Sequence, residues 1–163
     1  MLLYLIRHGQ AEDHAASGND DDRVLTESGA KELRRLARRL HDLGVRFDHT
    51  LTSPLARARQ TADLLVKESV TTWVEDADFL APGGQFDELR AWLGQWRKRH
   101  NGPVAAVGHQ PSLGEWAELL VCGEVYGRIP LKKAGIAAVE LPDAGSPVGR
   151  SILVWLTSPK QLL

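Results

Sequence analysis

The chain has 163 residues, 43% of them hydrophobic and 25% charged, with a formal net charge of −1. This length suits one domain with a hydrophobic core, so we expect a single domain over residues 1–163. The near-zero net charge creates no overall field for nucleic acid or an anionic membrane, and we expect neither as a partner. The single cysteine, Cys122, excludes an internal disulfide and a cysteine-rich metal site, which is compatible with the cytoplasm.

The predicted elements begin with an apolar run, residues 2–6, that indicates a buried strand and is too short for a signal peptide or membrane span. After a polar loop, apolar residues at helical spacing predict a helix from Thr26 to Leu43. Further strands are expected at 47–52, 71–74, 104–107, 136–141 and 151–156. Further helices are expected at 53–67, at 111–121 and around Trp92 and Trp96, whose i,i+4 spacing predicts two core residues.

This alternation of strands and helices is typical of an α/β fold. The last two predicted strands have no helix between them, so they are expected to pair antiparallel and to make the sheet mixed. No internal repeat and no low-complexity linker divides the chain.

Chemically capable side chains follow three of the predicted strands. Arg7 and His8 follow the first strand, Arg57 lies one turn into the helix after the second, and His109 precedes the helix at Pro111. Ligands in open α/β sheets gather outside the carboxyl ends of strands, so these groups can converge on one pocket. Arginine forks match phosphate oxygens and a helix N-terminus offers free N–H groups, so the set predicts a site for a tetrahedral dianion.

An imidazole in such a pocket can act as a covalent nucleophile when it is neutral. Arg7, Arg57 and a cationic His109 are expected to disfavour protonation of His8, which would then attack phosphorus in line. The arginines and His109 would stabilise charge on the equatorial oxygens, and water would hydrolyse the phosphohistidine enzyme. The scheme needs no metal or cofactor, and none is predicted.

Four motifs, taken together, resemble the histidine phosphatase superfamily, which has the phosphoglycerate mutase-like fold. They are Arg7-His8-Gly9, Leu25-Thr26-x-x-Gly29, Ser53-Pro54-x-x-Arg57-Ala58-x-Gln60-Thr61 and Gly108-His109-x-Pro111, in the family's order. The chain is most similar to the small SixA-type phosphohistidine phosphatases, which share features of the loop at 80–84, the late strand at 135–137 and the ending at 155–159. The matches span residues 3 to about 160.

The resemblance implies a three-layer α/β/α sandwich with a mixed, mainly parallel sheet. It also implies that His8 accepts the phosphoryl group and that Arg7, Arg57 and His109 line the phosphate pocket. Gly9 and Gln10 are predicted to complete the phosphate-binding residues. Many members of the wider family have an acidic residue at position 10 and an asparagine at position 14, where this chain has Gln10 and His14.

The chain also departs from the family in its loop around 79–84. Many mutases and phosphomonoesterases carry a glutamate acid there, and that position falls on Pro82. Glu75, Asp76 and Asp78 lie upstream and are expected to be solvated. Because an alkoxide leaving group needs a proton donor while imidazole leaves far more easily, the missing acid favours N–P over sugar-phosphate cleavage.

The predicted function is therefore hydrolysis of phosphohistidine on a signalling or phosphotransfer protein. Few residues remain for a lid, which favours a partner that is a phosphorylated histidine-containing phosphotransfer protein or domain. One alternative is a small-molecule phosphomonoesterase of the same superfamily, with Glu12 or Asp13 as the acid. Another is a non-catalytic phosphate-binding module.

Other motifs carry less weight. Cys122 and Arg128 have the Cys-x5-Arg spacing of cysteine phosphatases, but that loop should follow a strand, so Cys122 is interpreted as a small residue at a helix end. The acidic run 20–22 and the basic face of the first helix are interpreted as solvated charges. The remaining histidines show no ligand spacing, so no metal site is predicted; they are His14, His41, His49 and His100.

Overall fold

The computed structural model describes all residues, 1–163, and contains one six-stranded sheet. The strands are β1 (Leu2–Arg7), β2 (His49–Thr52), β3 (Val74–Asp76), β4 (Val104–Gly108), β5 (Ile136–Glu140) and β6 (Ile152–Thr157). The helices are α1 (Glu27–Asp42), α2 (Ala56–Lys67), α3 (Phe86–Trp96), α4 (Ser112–Cys122) and α5 (Pro159–Leu162). No helix is both long enough and apolar enough to cross a bilayer.

The sheet has the strand order β3-β2-β4-β1-β5-β6. The pairs β2·β3, β2·β4 and β1·β4 are parallel, whereas β1·β5 and β5·β6 are antiparallel. The predicted mixed, mainly parallel sheet and the antiparallel pairing of its last two strands are confirmed. The central strands β1 and β4 are neighbours, so their carboxyl ends lie side by side.

Alternating residues of the central strands supply two separate hydrophobic clusters, one on each face of the sheet. Tyr4 and Ile6 of β1 face the cluster that α1 and α2 cover, whereas Leu3 and Leu5 face the cluster that α3 and α4 cover. The predicted three-layer α/β/α sandwich is therefore confirmed. With both faces covered, the sheet leaves its strand ends as the place where polar side chains can gather.

Three local predictions are corrected, and one short helix is added. The third strand lies at Val74–Asp76 rather than 71–74, because Thr71 makes only an isolated bridge to Phe47. The second helix begins at Ala56, with Ser53 and Pro54 in the turn before it. Trp92 and Trp96 are only half-buried: they pack against the edge of the core and also line a surface groove. The short helix α5 was not predicted; it has a capping box formed by Ser158 and Gln161.

Candidate active site

Two histidines meet at the carboxyl ends of the central strands. Arg7 of β1 is in register with Gly108 of β4, so His8 and His109 occupy equivalent positions just beyond the sheet. Their ring centroids are 5.0 Å apart and their planes are inclined by 54°. Both side chains are buried. The structure therefore brings together the two imidazoles that the sequence places in one pocket.

The His8 ring has a defined tautomer. Its Nδ1 lies 2.7 Å from the carbonyl oxygen of Gly9. Because a carbonyl can only accept a hydrogen bond, Nδ1 must carry the proton, and the lone pair of a neutral ring then resides on Nε2. Nε2 is thus the ring nitrogen of His8 whose lone pair is available for attack.

The environment keeps both rings neutral near pH 7. Burial, followed by the positive charge of Lys133, lowers the pKa of His8 from 6.5 to about 3, with a further contribution from Arg57. Burial and the charge of Arg57 lower the pKa of His109 to about 4. The prediction of a neutral His8 agrees with this environment, but the expected cationic His109 is wrong for the free protein. A bound phosphate dianion would favour its protonation.

Two arginines approach the histidines with part of their hydrogen-bonding capacity unused. Arg7 donates one Nη1 bond of 2.9 Å to the carbonyl of Leu131, and its Nε is buried without a partner. Arg57 is 97% buried, and its Nε also has no partner. Since a buried polar group without a partner costs free energy, both side chains are prepared for an acceptor from outside the chain.

Asp20 is a site residue rather than the solvated loop charge that was predicted. Its carboxylate lies 3.1 Å from Nη2 of Arg57 and 2.8 Å from Nε of Arg23, and its backbone carbonyl accepts a bond from Nη1 of Arg57. The carboxylate is nevertheless 65% exposed. Asp20 therefore occupies part of the fork that a phosphate would use.

Residues of the sequence motifs hold the loop after β1, which carries His8, in place. Thr61 accepts the backbone N–H of Gly9 at 3.1 Å, and Gln60 accepts that of Leu25 at 2.7 Å. A Cβ on Gly29 would stand 2.3 Å from the carbonyl oxygen of Gln10, so only glycine lets α1 approach the loop this closely. These contacts explain the spacing of the motifs around Thr26 and Arg57.

Gly9 and Gln10, and the carboxylates of Glu75 and Asp76, each make other contacts. The N–H of Gly9 is engaged with Thr61 in the interior, so the prediction that Gly9 binds phosphate is not supported by its geometry. Gln10 is exposed, and its side-chain amide contacts the carbonyl of Ala11 at 3.4 Å, so its role stays a prediction. Glu75 and Asp76 pair with His49 and Arg59, respectively, away from His8.

Besides Asp20, three residues close to the histidines were not singled out in the sequence analysis. Ser53 was noted only within a motif, yet its hydroxyl shares a 2.8 Å hydrogen bond with Nε2 of His109. Lys133 and Arg23 were not predicted, because the loops that bring them to the site have no recognisable pattern. Lys133 exerts the largest charge effect on His8.

The alternative signals are weak in the structure too. Cys122 is the last residue of α4, so the Cys-x5-Arg segment follows a helix and not a strand. No group of three or more His, Cys, Asp or Glu side chains is arranged to hold a metal ion.

Comparisons with known proteins confirm the family resemblance of the sequence. A model of the histidine phosphatase superfamily (branch 1) matches residues 3–80. An uncharacterized protein of Picosynechococcus sp. is 42% identical over 164 residues, with 100% of this chain and 99% of that protein covered. The match to the mitochondrial serine/threonine-protein phosphatase Pgam5 of Drosophila willistoni is shorter: the chain covers only 22% of its length.

Among solved structures, the protein histidine phosphatase SixA complexed with tungstate superimposes with a TM-score of 0.87 and 28% identity. The superposition covers 100% of both chains. An α-ribazole phosphatase from Shigella flexneri has a TM-score of 0.75 at 19% identity, over 98% of this chain and 97% of its own. The second likeness concerns the fold alone.

Proposed function

Because the chain belongs to the histidine phosphatase superfamily, we propose that it hydrolyses phosphohistidine on a protein partner and carries the phosphoryl group transiently on His8. The observation that carries this proposal is the state of His8: a neutral ring with its proton on Nδ1, held among cations, while the carboxylates of Glu75 and Asp76 are paired with His49 and Arg59. We also propose that residues 1–163 form one domain, since all six strands join one sheet.

In the first step, Nε2 of His8 attacks phosphorus while the bond to the nitrogen of the substrate imidazole breaks. Arg7, Arg57 and His109 surround the equatorial oxygens, where negative charge must be balanced. One N–P bond replaces another, so the transfer is close to balanced in energy. The electron pair of the broken bond stays on the nitrogen of the substrate ring, which leaves as neutral imidazole once the ring carries a proton.

In the second step, water attacks the phosphoryl group on His8. The P–Nε2 bond breaks and its electron pair returns to Nε2, while Nδ1 keeps the proton that it shares with the carbonyl of Gly9. The ring therefore leaves as neutral imidazole rather than as an anion. The Gly9 carbonyl thus supports both attack by His8 and its later release.

The second candidate is a phosphomonoesterase acting on a small ester. Its chemistry requires a proton for an alkoxide. Asp20 is the carboxylate that the structure brings to the pocket, and it is committed to Arg57 and Arg23. No carboxylic acid is therefore free to protonate an alkoxide, which favours a leaving group of imidazole type and hence the phosphohistidine substrate.

The test compares metal-free dephosphorylation of a phosphohistidine-bearing phosphotransfer domain by the wild-type protein, His8→Ala and His41→Ala. His41 lies on the exposed face of α1 and serves as the control. We expect the first variant to lose at least a factor of ~10³ in rate, because it removes the nucleophile itself, and the second to retain full activity. A wild type that hydrolyses sugar phosphates but leaves phosphohistidine intact would sink the proposal in favour of the esterase.

A further inference from the structure

Lys133 stands on a strained turn at the edge of the active site. The N–H of Gly135 donates to the carbonyl of Lys132 at 2.8 Å, which closes a turn with Lys133 and Ala134 at its centre. Ala134 has φ = 54°, a left-handed conformation that residues other than glycine rarely adopt. Such strain persists where the surrounding structure over-determines it, and it clusters at functional sites.

The turn is fixed to the strand that carries the nucleophile. Ala134 donates its N–H to the carbonyl of His8 at 3.1 Å, and Gly135 accepts the N–H of Arg7 at 3.0 Å. On the other side, Leu131 accepts the Nη1 bond of Arg7. The backbone on both sides of Lys133 is therefore held against Arg7 and His8, so the position of Lys133 beside them is built into the fold.

The ammonium group of Lys133 has no partner within the chain. It makes no hydrogen bond and no ion pair, although the side chain is half-buried. Burial and the charges of Arg7, Arg23 and Arg57 lower its pKa to about 8. The charged and titratable groups around it come from several elements; they are Arg7 at the end of β1 and His8 just beyond it, Arg23 from the loop before α1, Arg57 from α2 and His109 just beyond β4, with Asp20 acting on His109.

This concentration of positive charge contains a single carboxylate, that of Asp20. A cluster of like charges is unfavourable unless an anion binds to it. Arg7 and Arg57 are sufficient to bind the oxygens of one phosphoryl group. Lys133 differs from them because an ammonium can release its proton whereas a guanidinium remains charged.

We propose that Lys133 contacts the leaving atom of the substrate and transfers a proton from Nζ to it as its bond to phosphorus breaks. This inference rests on the proposed function and deepens it. In the first step, Nε2 of His8 forms a bond to phosphorus, the P–N bond of the substrate breaks, and the electron pair left on nitrogen takes the Lys133 proton. In the second step, the neutral amine accepts a proton from the attacking water, which restores the ammonium.

The experiment measures formation of the phosphorylated enzyme by rapid quench from two aryl phosphates. Phenyl phosphate releases a phenolate whose pKa resembles the value of about 10 for tyrosine, so it needs a proton, whereas 4-nitrophenyl phosphate releases a stable anion. We expect Lys133→Met to slow the reaction with phenyl phosphate by a factor of ~100, within the range of general acid catalysis, and that with 4-nitrophenyl phosphate far less.

Lys133→Arg separates proton transfer from charge. It keeps the positive charge but cannot give up a proton, so we expect it to remain slow with phenyl phosphate and to react normally with 4-nitrophenyl phosphate. The wild-type rate with phenyl phosphate should fall above about pH 8, and this decline should be absent in the arginine variant. Lys132→Met, at the exposed neighbouring position, is the matched control.

Equal losses on both substrates, or full recovery of phenyl phosphate turnover in Lys133→Arg, would overturn the proton-transfer role. These outcomes are distinct from failure of the proposed function. A wild type that is phosphorylated by the aryl phosphates but not by phosphohistidine protein contradicts the substrate assignment and still permits the Lys133 comparison. A wild type that no substrate phosphorylates contradicts both.

Discussion

The molecule contains two regions of buried charge, and they differ in whether the charged groups have partners within the chain. The carboxylate of Glu118, on α4, is 99% buried and accepts four backbone N–H groups from the segment 126–129. Burial alone would raise the pKa of Glu118, but the four hydrogen bonds lower it below its ordinary value overall. The chain itself therefore supplies all the hydrogen bonds that stabilise this charge.

The cations around His8 show the reverse. Arg57 is buried to a similar degree, yet its Nε has no partner, as is true of Arg7, and Lys133 has no ion pair at all. The exposed Asp20 compensates only part of this charge. The comparison teaches that a buried charge satisfied by its own chain stabilises a loop, whereas one left unsatisfied indicates a ligand.

The largest effect on activity is expected from removing one of the cations around His8. Arg57→Ala should lower kcat/KM by a factor of ~10² to 10³, the usual loss when one stabilising donor of a transition state is removed. Stability should change little, because Asp20, the partner left behind, is already exposed. Steady-state kinetics and urea unfolding measure the two quantities.

The control for this variant is Arg59→Ala, two residues along α2, where the arginine is 41% exposed and pairs with Asp63 and Asp76. It should retain activity. If Arg57→Ala instead unfolds the protein while its activity per folded molecule is unchanged, Arg57 belongs with Glu118 as a structural charge.

The second largest effect is expected on stability, from changing Glu118, the buried charge whose hydrogen bonds all come from the chain itself. Glu118→Gln keeps the shape of the side chain but replaces one acceptor oxygen by a donor amide, so some of the four N–H groups lose their partner. We expect the free energy of unfolding to fall by ~3 kcal/mol, since each unsatisfied buried group costs ~1–3 kcal/mol. At about 2–4 °C per kcal/mol for a chain of this size, Tm should fall by roughly 6–12 °C.

Activity of Glu118→Gln at a temperature where it remains folded should equal that of the wild type, because Glu118 contacts no residue of the His8 site. Glu88→Gln, at an exposed position of α3, controls for the loss of a negative charge. A variant with unchanged Tm would show that the four hydrogen bonds contribute no stability.

The smallest effect is on acid stability. In the folded protein the pKa values of His8 and His109 are about 3 and about 4, below the unfolded value of 6.5. The unfolded chain therefore binds more protons below pH 6.5, and stability is lost as the pH falls from about 7 towards 4. Between pH 7 and 5.5 each histidine should cost roughly 1 kcal/mol.

Urea unfolding at these two pH values checks this expectation. The double variant His8→Asn/His109→Asn should lose less stability on acidification than the wild type, whereas His41→Asn should behave like it. An equal loss in the wild type and the double variant would mean that both rings are protonated as easily in the folded state as in the unfolded chain.

Much of this site could be predicted from the sequence because its residues follow strands. A buried apolar strand ends where its neighbours end, so His8 and His109 had to lie side by side once β1 and β4 were adjacent. The position of Arg57 near these two histidines followed from its place one turn into α2. These inferences use only local periodicity and the geometry of parallel sheets.

Lys133, Arg23 and Asp20 could not be found in this way. They reach the site from loops whose paths depend on long-range contacts, such as the hydrogen bond between Ala134 and the carbonyl of His8. Asp20 and its acidic neighbours have the composition of a solvated turn, and nothing in that pattern indicates an ion pair with a buried arginine.

The errors in the fold have similar causes. The i,i+4 spacing of Trp92 and Trp96 shows that they share a helix face, but periodicity does not reveal whether that face is fully covered. The third strand is only three residues long and begins beyond Thr71, where β propensity alone suggested it. Short elements at the edge of a sheet depend on tertiary pairing more than on sequence.

The acceptor that holds the proton on Nδ1 of His8 is a main-chain carbonyl, which every amino acid possesses. No point substitution at position 9 can delete it, although a side chain there would press on Leu25 at 3.2 Å. The tautomer of His8 therefore depends on no side chain, whereas the charges around the ring can be exchanged one residue at a time. Substitutions can thus change the charge of the pocket while the lone pair of His8 stays on Nε2.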